Sequence, residues 1–264
     1  MRLATFAAAA ALLAVGPVHA QTVQVFAAGS LRGVVGDLAK QAGPALGVEV
    51  KGEFGGSGQM RERIEKGEKP DLLMSADMGS PRKLAAAGRT TLPVIAFAKN
   101  RECVVSKKAL GVTPANLTDK LLDPKVRLKT SQPVADPSGD YTWAIFDKIE
   151  ALRPGAGRTL KAKGEANMTL TAEPAPGQTA QAALFAQNKV DMTIVYCSAA
   201  VDRELPDLLT SFPVPAALDP HPVYGVAVLS NRPEALRLAL YLLSEPGQAI
   251  IARNGLVPLV DGAR

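Results

Sequence analysis

Two serines are the most suggestive chemical groups in this chain. Ser30 and Ser57 each follow a strand-like run and a glycine turn, and each opens a stretch with helical spacing. The first amides of a helix have no carbonyl partner inside it, and the helix dipole adds about half a positive charge there. An anion can be held at such a point without lysine or arginine. A serine hydroxyl adds one more donor, although serine is also an ordinary helix cap that needs no ligand. Two further places offer donors. The turn Asp136-Pro137-Ser138-Gly139-Asp140-Tyr141 precedes a helical stretch and exposes backbone N–H groups. Tyr196 ends an apolar run, and a buried phenol there needs a polar partner for its hydroxyl.

Other chemistries are poorly supplied. Gly55-Gly56-Ser57-Gly58 lacks the Gly-Lys-Ser/Thr that completes a phosphate loop, and Gly-x-Ser-x-Gly is absent. A serine hydrolase using Ser30 or Ser57 would need a base in reach, and His221, between Pro220 and Pro222, reads as a loop residue. His19, His221, Cys103 and Cys197 are too few for a Cys/His zinc site. An iron site would need a cluster of carboxylate, His or Tyr ligands, of which only Tyr196 falls at a strand end. Glu62 and Glu65 alternate with Arg61, Arg63 and Lys66, the pattern of a solvated helix face. The chain therefore reads as no enzyme, with no cofactor and no direct metal-ion ligands. Aromatics at 5% and the lack of any block of like charges argue against nucleic acid.

The elements that must position these groups follow a simple grammar. The chain has 264 residues, enough for one or two domains, and 47% apolar with 21% charged residues is a globular composition. Val23–Ala28 reads as a strand, and Leu31, Val34, Val35, Leu38 and Ala39 as one helix face. Val48–Phe54, then Met60 and Ile64, repeat that order. Asp71–Ala76 is a third strand, apolar enough to be buried on both faces of a parallel sheet. Pro81–Ala87 follows as a short helix. Strand, turn and helix in succession give an α/β fold. Pro93–Ala98 and Cys103–Ser106 then follow with little helix between, where the chain is expected to cross to a second lobe. Further strands are expected at Arg127–Thr130, Asp191–Tyr196, Leu208–Val214 and Val223–Leu229. Further helices are expected at Thr142–Leu152, Thr179–Gln187, Pro233–Leu243 and Gly247–Arg253. The layout is two α/β lobes: residues 21–98 with 212–264, and residues 99–211.

Met1–Ala20 lies outside that pattern. Arg2 leads an Ala/Leu-rich run broken by Gly16 and Pro17, and Val18-His19-Ala20 fits the small-residue cleavage rule. A secretory signal peptide cut after Ala20 is expected, hence a periplasmic protein. The alternative, an uncleaved anchor, has an apolar run shorter than the ~20 residues that span a bilayer. The whole chain carries +5, a mild excess that favours anions without a basic patch. Cys103 and Cys197 lie on or beside two strand-like runs of the second lobe. In an oxidising compartment a disulfide is expected, with two buried thiols as the alternative.

Taken together these residues resemble the periplasmic molybdate-binding proteins of ABC transporters. The resemblance covers nearly all of the chain past the leader. It rests on Val25-Phe26-Ala27-Ala28-Gly29-Ser30-Leu31, Phe54-Gly55-Gly56-Ser57-Gly58 and Asp71-Leu72-Leu73-Met74-Ser75-Ala76-Asp77. It continues through the Asp136–Tyr141 turn and Ile194-Val195-Tyr196-Cys197-Ser198-Ala199. It implies a two-lobe binding fold, each lobe a central sheet flanked by helices, closing on a tetrahedral oxyanion such as molybdate or tungstate. It implies delivery to a membrane permease of an importer, and a monomer is expected. Ser30 and Ser57 would donate through hydroxyl and amide, Ser138 and Gln178 through amides, and Tyr196 through its phenol. The turn is shorter than the family's loop at Ser138, Gln178 replaces a usually apolar residue, and the two cysteines are outside the common pattern. Sulfate and iron remain the competing ligands.

Overall fold

In Gln21–Ala28 (β1), Val23, Val25 and Ala27 turn to one side of the strand and Phe26 to the other, and all four are buried. A strand with both faces apolar needs helices on both sides. The computed structural model describes residues 20–200 and 202–259. The expected leader, residues 1–20, lies outside them except for Ala20. After a 3-10 turn at Gly29–Leu31 come Arg32–Leu46 (α1), Val48–Gly55 (β2), Ser57–Glu65 (α2), Leu72–Ser75 (β3), Gly79–Ala86 (α3) and Ile95–Lys99 (β4). The chain continues through Glu102–Lys107 (β5), Leu117–Leu122 (α4), Leu128–Lys129 (β6), Pro137–Leu152 (α5), Ala156–Glu165 (α6), Ala180–Ala186 (α7), Met192–Tyr196 (β7) and Leu209–Pro213 (β8). It ends with Val223–Val228 (β9), Pro233–Tyr241 (α8) and Glu245–Arg253 (α9).

The strands form two mixed sheets, each flanked by helices, as the two-lobe α/β layout requires. The first has the order β2-β1-β3-β9-β4 and the second β6-β7-β5-β8. β1 is parallel to β2 and β3, but β9 runs antiparallel to β3, so the first sheet is not purely parallel as its sequence suggests. The reason is topological: β9 enters from the other sheet and needs no crossover helix to lie beside β3. Val34, Val35 and Leu38 of α1, Leu238 of α8 and Ile250 and Ile251 of α9 pack on one face of that sheet. Met60 and Ile64 of α2 and Leu84 of α3 pack on the other, against Phe26 and Leu73. In the second sheet Ile145, Phe146 and Ile149 of α5 and Leu160 of α6 cover one side, and Ala182–Phe185 of α7 the other.

Three differences from the sequence reading have local causes. α5 begins at Pro137, not Thr142, because Asp136 caps it by accepting from the Ser138 amide and Pro137 fills the first helical position. Helices α4 and α6 were not anticipated; short helices depend on tertiary packing, here of Leu117, Leu121 and Leu160, for most of their stability. The expected lobe boundary at 211/212 falls inside β8, all of whose residues pair with β5. Cys103 and Cys197 form a disulfide with Cα atoms 4.8 Å apart, joining β5 to the residue after β7. Those strands are neighbours, with Cys103 opposite Val195.

Candidate functional site

The carboxyl ends of β1, β3 and β7 meet the start of α5 at a cavity of about 230 Å3. Ala28, Gly29 and Ser30 line it from the first lobe with Ala76, and Ser131, Asp136, Ser138, Gln181, Val195, Tyr196 and Ala199 from the second. Ligands of α/β proteins bind at such strand ends. The volume is below the ~300–1000 Å3 of drug-sized pockets and suits a small solute. A second cavity of about 250 Å3, between α7 and β7, shares Ser131, Gln181 and Val195 with it. The second cavity's other walls are largely apolar, including Leu170, Leu184 and Phe185, and Lys129 there is committed to the Met168 carbonyl at 2.7 Å. The donors that suit an anion therefore belong to the first.

Neither serine is a helix cap in the strict sense. Ser30 lies in the 3-10 turn, and Leu31 is the residue that leads into α1. Its hydroxyl is 3.1 Å from the Tyr224 hydroxyl. Asn100 Nδ2 donates to that same Tyr224 oxygen at 3.0 Å. With Asn100 donating to the Tyr224 oxygen, Tyr224 can donate its hydrogen to Ser30, an arrangement that leaves the Ser30 hydrogen for the cavity. Ser57 is the first residue of α2, led in by Gly56. It is fully buried, and its hydroxyl oxygen accepts from the Ala76 amide at 3.0 Å. That bond ties α2 to the end of β3 and again leaves the hydroxyl hydrogen free. Ser57 is not itself in the cavity wall; its partner Ala76 is.

On the other side the expected residues separate. Ser138 lines the cavity, but its amide already donates to Asp136 Oδ1 at 3.1 Å. The Gln178 amide donates to the Ala175 carbonyl at 2.9 Å, and Gln178 is not in the wall. Thr179 caps α7 by accepting from the Ala182 amide, and Gln181, two residues on, reaches the cavity. The structure thus gathers Ser30, Ser138 and Tyr196 around one space, holds Ser57 behind it, and leaves Gln178 outside. Gln181 was missed because helical phase decides which residue of the first turn faces the cavity.

Tyr196 is the central group. It is 4% exposed, and its hydroxyl has no hydrogen-bond partner among the described residues. Its ring packs edge-on to Tyr141 at 6.2 Å and tilted to Tyr224 at 5.6 Å. Burial, then the neighbouring Tyr224 and Glu102, push its pKa well above the usual phenol value, so it is a donor and not a phenolate. Burial likewise pushes Tyr141 up to about 12. Among the described residues no lysine or arginine lines the cavity, and Asp136 is the one carboxyl there. That carboxyl is pushed upward by burial, although its bond from the Ser138 amide pulls the other way. A bound anion would therefore be held by neutral donors, which replace its water shell without an ion pair. Tyr224, Asn100 and Tyr141 were not anticipated, since residues up to 194 positions apart meet only through the folding of both lobes.

The sequence pattern of the family described as bacterial extracellular solute-binding protein matches residues 23–257. An uncharacterized protein of Pasteurella multocida, PM1146, is 33% identical over 243 residues, covering 89% of this chain and 98% of its own length. The molybdate-binding protein ModA of Escherichia coli is 30% identical over 232 residues, covering 83% of this chain and 81% of its own. Among solved structures, the sulfate-binding protein SubI of Mycobacterium tuberculosis superposes with a TM-score of 0.71 at 17% identity, over 90% of this chain and 87% of that one. At that identity the likeness is one of fold.

Proposed function

We propose that this chain, which belongs to the bacterial extracellular solute-binding protein family, captures a tetrahedral oxyanion, molybdate or tungstate, between its lobes and delivers it to the membrane permease of an ABC importer. The observation that carries this reading is the Tyr196 hydroxyl: buried, neutral, without a partner among the described residues, and in the wall of a cavity that none of the described lysines or arginines lines. A buried donor without an acceptor costs about 1–3 kcal/mol, a cost an anion in the cavity would relieve. The likeness to a molybdate-binding relative supports the choice of oxyanion. Ser30 supplies a hydroxyl hydrogen from the first lobe, Ser57 braces that wall from behind through the Ala76 amide, and Ser138 and Tyr196 face them from the second. Gln178 belongs to this set only if the 175–178 turn opens and frees its amide. In this reading the lobes meet at residues 100–101 and 214–222, so the second crossing begins two residues past the division expected at 211/212. The protein acts as a monomer, exported with its leader cut after Ala20.

The distinguishing experiment is calorimetric titration with molybdate, tungstate, sulfate, phosphate and Fe(III), accompanied by melting curves. Molybdate and tungstate are expected to raise the melting point through mass action, sulfate much less. Absence of heat and of any melting shift with both metal oxyanions would refute the reading, and a response to Fe(III) alone would replace it.

A further inference from the structure

The second lobe hides a carboxyl that the proposed binding reaction does not use. Glu102, the first residue of β5, is 0% exposed, and neither of its carboxyl oxygens has a hydrogen-bond partner among the described residues. In the β5–β7 ladder Glu102 lies directly opposite Tyr196. Directly opposed residues of an antiparallel pair put their side chains on the same face, with Cβ atoms about 4.5–5.5 Å apart. Three unpartnered terminal oxygens, two carboxyl and one phenolic, therefore lie on one buried face of the sheet, with Tyr196 itself in the cavity wall.

The titratable and charged groups around it come from every element packed there. Tyr196 stands on β7, Tyr224 on β9 and Tyr141 on α5, and all three feel the Glu102 charge. Asp136 at the start of α5 and Asp219 ahead of β9 oppose its ionisation, after burial itself. The basic side chains of the flanking segments are committed elsewhere or exposed. Lys148 Nζ donates to the Asp219 carbonyl at 2.6 Å, His221 lies 3.7 Å from the Asp219 carboxyl, and Arg101 is exposed. A carboxylate here would be buried without a donor or a counter-ion, which is among the costliest arrangements a fold can hold. A dianion in the cavity would make it costlier still.

We propose that Glu102 is a positioning residue of the oxyanion site: held as a neutral acid, it turns to the Tyr196 oxygen when the anion binds and donates its proton there, directing the phenol hydrogen toward the anion and tying capture of the anion to that proton. The inference rests on the oxyanion reading of the cavity. The chain of donors runs from carboxyl to phenol to anion, and each bond polarises the next. No proton leaves the chain. If Glu102 is ionised in the free protein, one proton is taken up from water on binding.

The test is titration of the full mature protein with molybdate and with sulfate, neither of which titrates from about pH 6 to about pH 9, in wild type, Glu102→Gln and Glu102→Leu. Wild-type affinity should fall as pH rises, approaching tenfold per unit where Glu102 ionises. Glu102→Gln keeps a donor but cannot ionise, so its affinity should be flat and match wild type at low pH. Glu102→Leu should also be flat but weaker by roughly tenfold, the loss of one hydrogen bond supporting a charged ligand. A slope that persists in Glu102→Gln, a flat wild-type profile, or a Glu102→Leu protein that binds like wild type at low pH overturns the proposal while leaving the oxyanion site standing. No binding of either anion by wild type at any pH overturns both. If Glu102→Leu does not fold, the slope in wild type and Glu102→Gln decides alone.

Discussion

The Gln59 amide, in the first turn of α2, donates to the Ala135 carbonyl at 3.4 Å, so the backbones of the two lobes touch beside the cavity. Two glycines make the approach possible. A Cβ at Gly56 would overlap the Ala135 carbonyl oxygen, and one at Gly58 the Val134 carbonyl oxygen. Val134 pays for this with a φ of 69°, the left-handed region that β-branched residues avoid.

Gly58→Ala should therefore hold the lobes apart without unfolding either core. An overpacked contact of this kind costs about 1–3 kcal/mol, so affinity should fall roughly fivefold to over a hundredfold. Small-angle scattering checks the cause: the radius of gyration should shrink on adding saturating ligand in wild type and not in the variant.

Tyr196→Phe and Ser57→Ala should separate binding from folding. Removing the phenol hydroxyl should cost about 1.5–3 kcal/mol of binding, tenfold to over a hundredfold in Kd, with little change in melting. Ser57→Ala leaves the Ala76 amide without its buried acceptor. It should lower stability by about 1–3 kcal/mol and affect binding no more than Tyr196→Phe does. Paired melting and titration of both variants checks this, and a Ser57→Ala protein as stable as wild type would contradict the role given to that hydroxyl.

The disulfide spans 94 positions of chain. Closing a loop that long in the unfolded chain is worth on the order of 4 kcal/mol in the entropic account. A Cys103→Ser, Cys197→Ser double variant should melt well below wild type, and a reductant should bring wild type to the same melting point. Equal melting of oxidised and reduced wild type would count against a stabilising bridge.

Asp191 and Glu102 should give opposite pH responses. Burial raises the Asp191 carboxyl, but hydrogen bonds from Arg127 and Lys107, at 2.7 Å from Arg127 Nε and 2.7 Å from Lys107 Nζ, outweigh it and hold it below the usual carboxylate range. A depressed folded-state pKa gives stability that is present above the ordinary aspartate value and lost as pH falls below it. Asp191→Asn should cost roughly 1–3 kcal/mol at neutral pH, the exposed Arg127 being screened by water, and nothing in strong acid.

For Glu102 the sign reverses. Its folded-state pKa lies well above the ordinary glutamate value, chiefly through burial. The folded protein keeps a proton that the unfolded chain gives up, so stability falls as pH rises above the ordinary glutamate range. Glu102→Gln should raise the melting point at alkaline pH and change it little near pH 4. Melting curves across that span check it, and an equal gain at both ends would sink the assignment.

Much of the frame was legible in the chain itself. Strand-and-helix alternation through Ala87 placed β1 to β3 and α1 to α3, because each element buries a periodic apolar set whatever its neighbours do. Two cysteines beside strand-like runs sufficed for the bridge, and Tyr196 stood out as a phenol at a strand end. What the tertiary structure alone decided is orientation and company. Whether β9 runs with or against β3, whether Gln178 or Gln181 faces the cavity, and whether Ser57 is a wall or a strut depend on how two lobes, threaded twice by one chain, settle against each other. Glu102 shows the limit most clearly. In the sequence it is one glutamate at the edge of Glu102–Ser106, where a charge on a strand end is ordinary. Only the ladder to Tyr196, closed over by Tyr224, Tyr141 and Asp136, makes it a buried acid, since burial is a property of the packed surroundings and not of the residue.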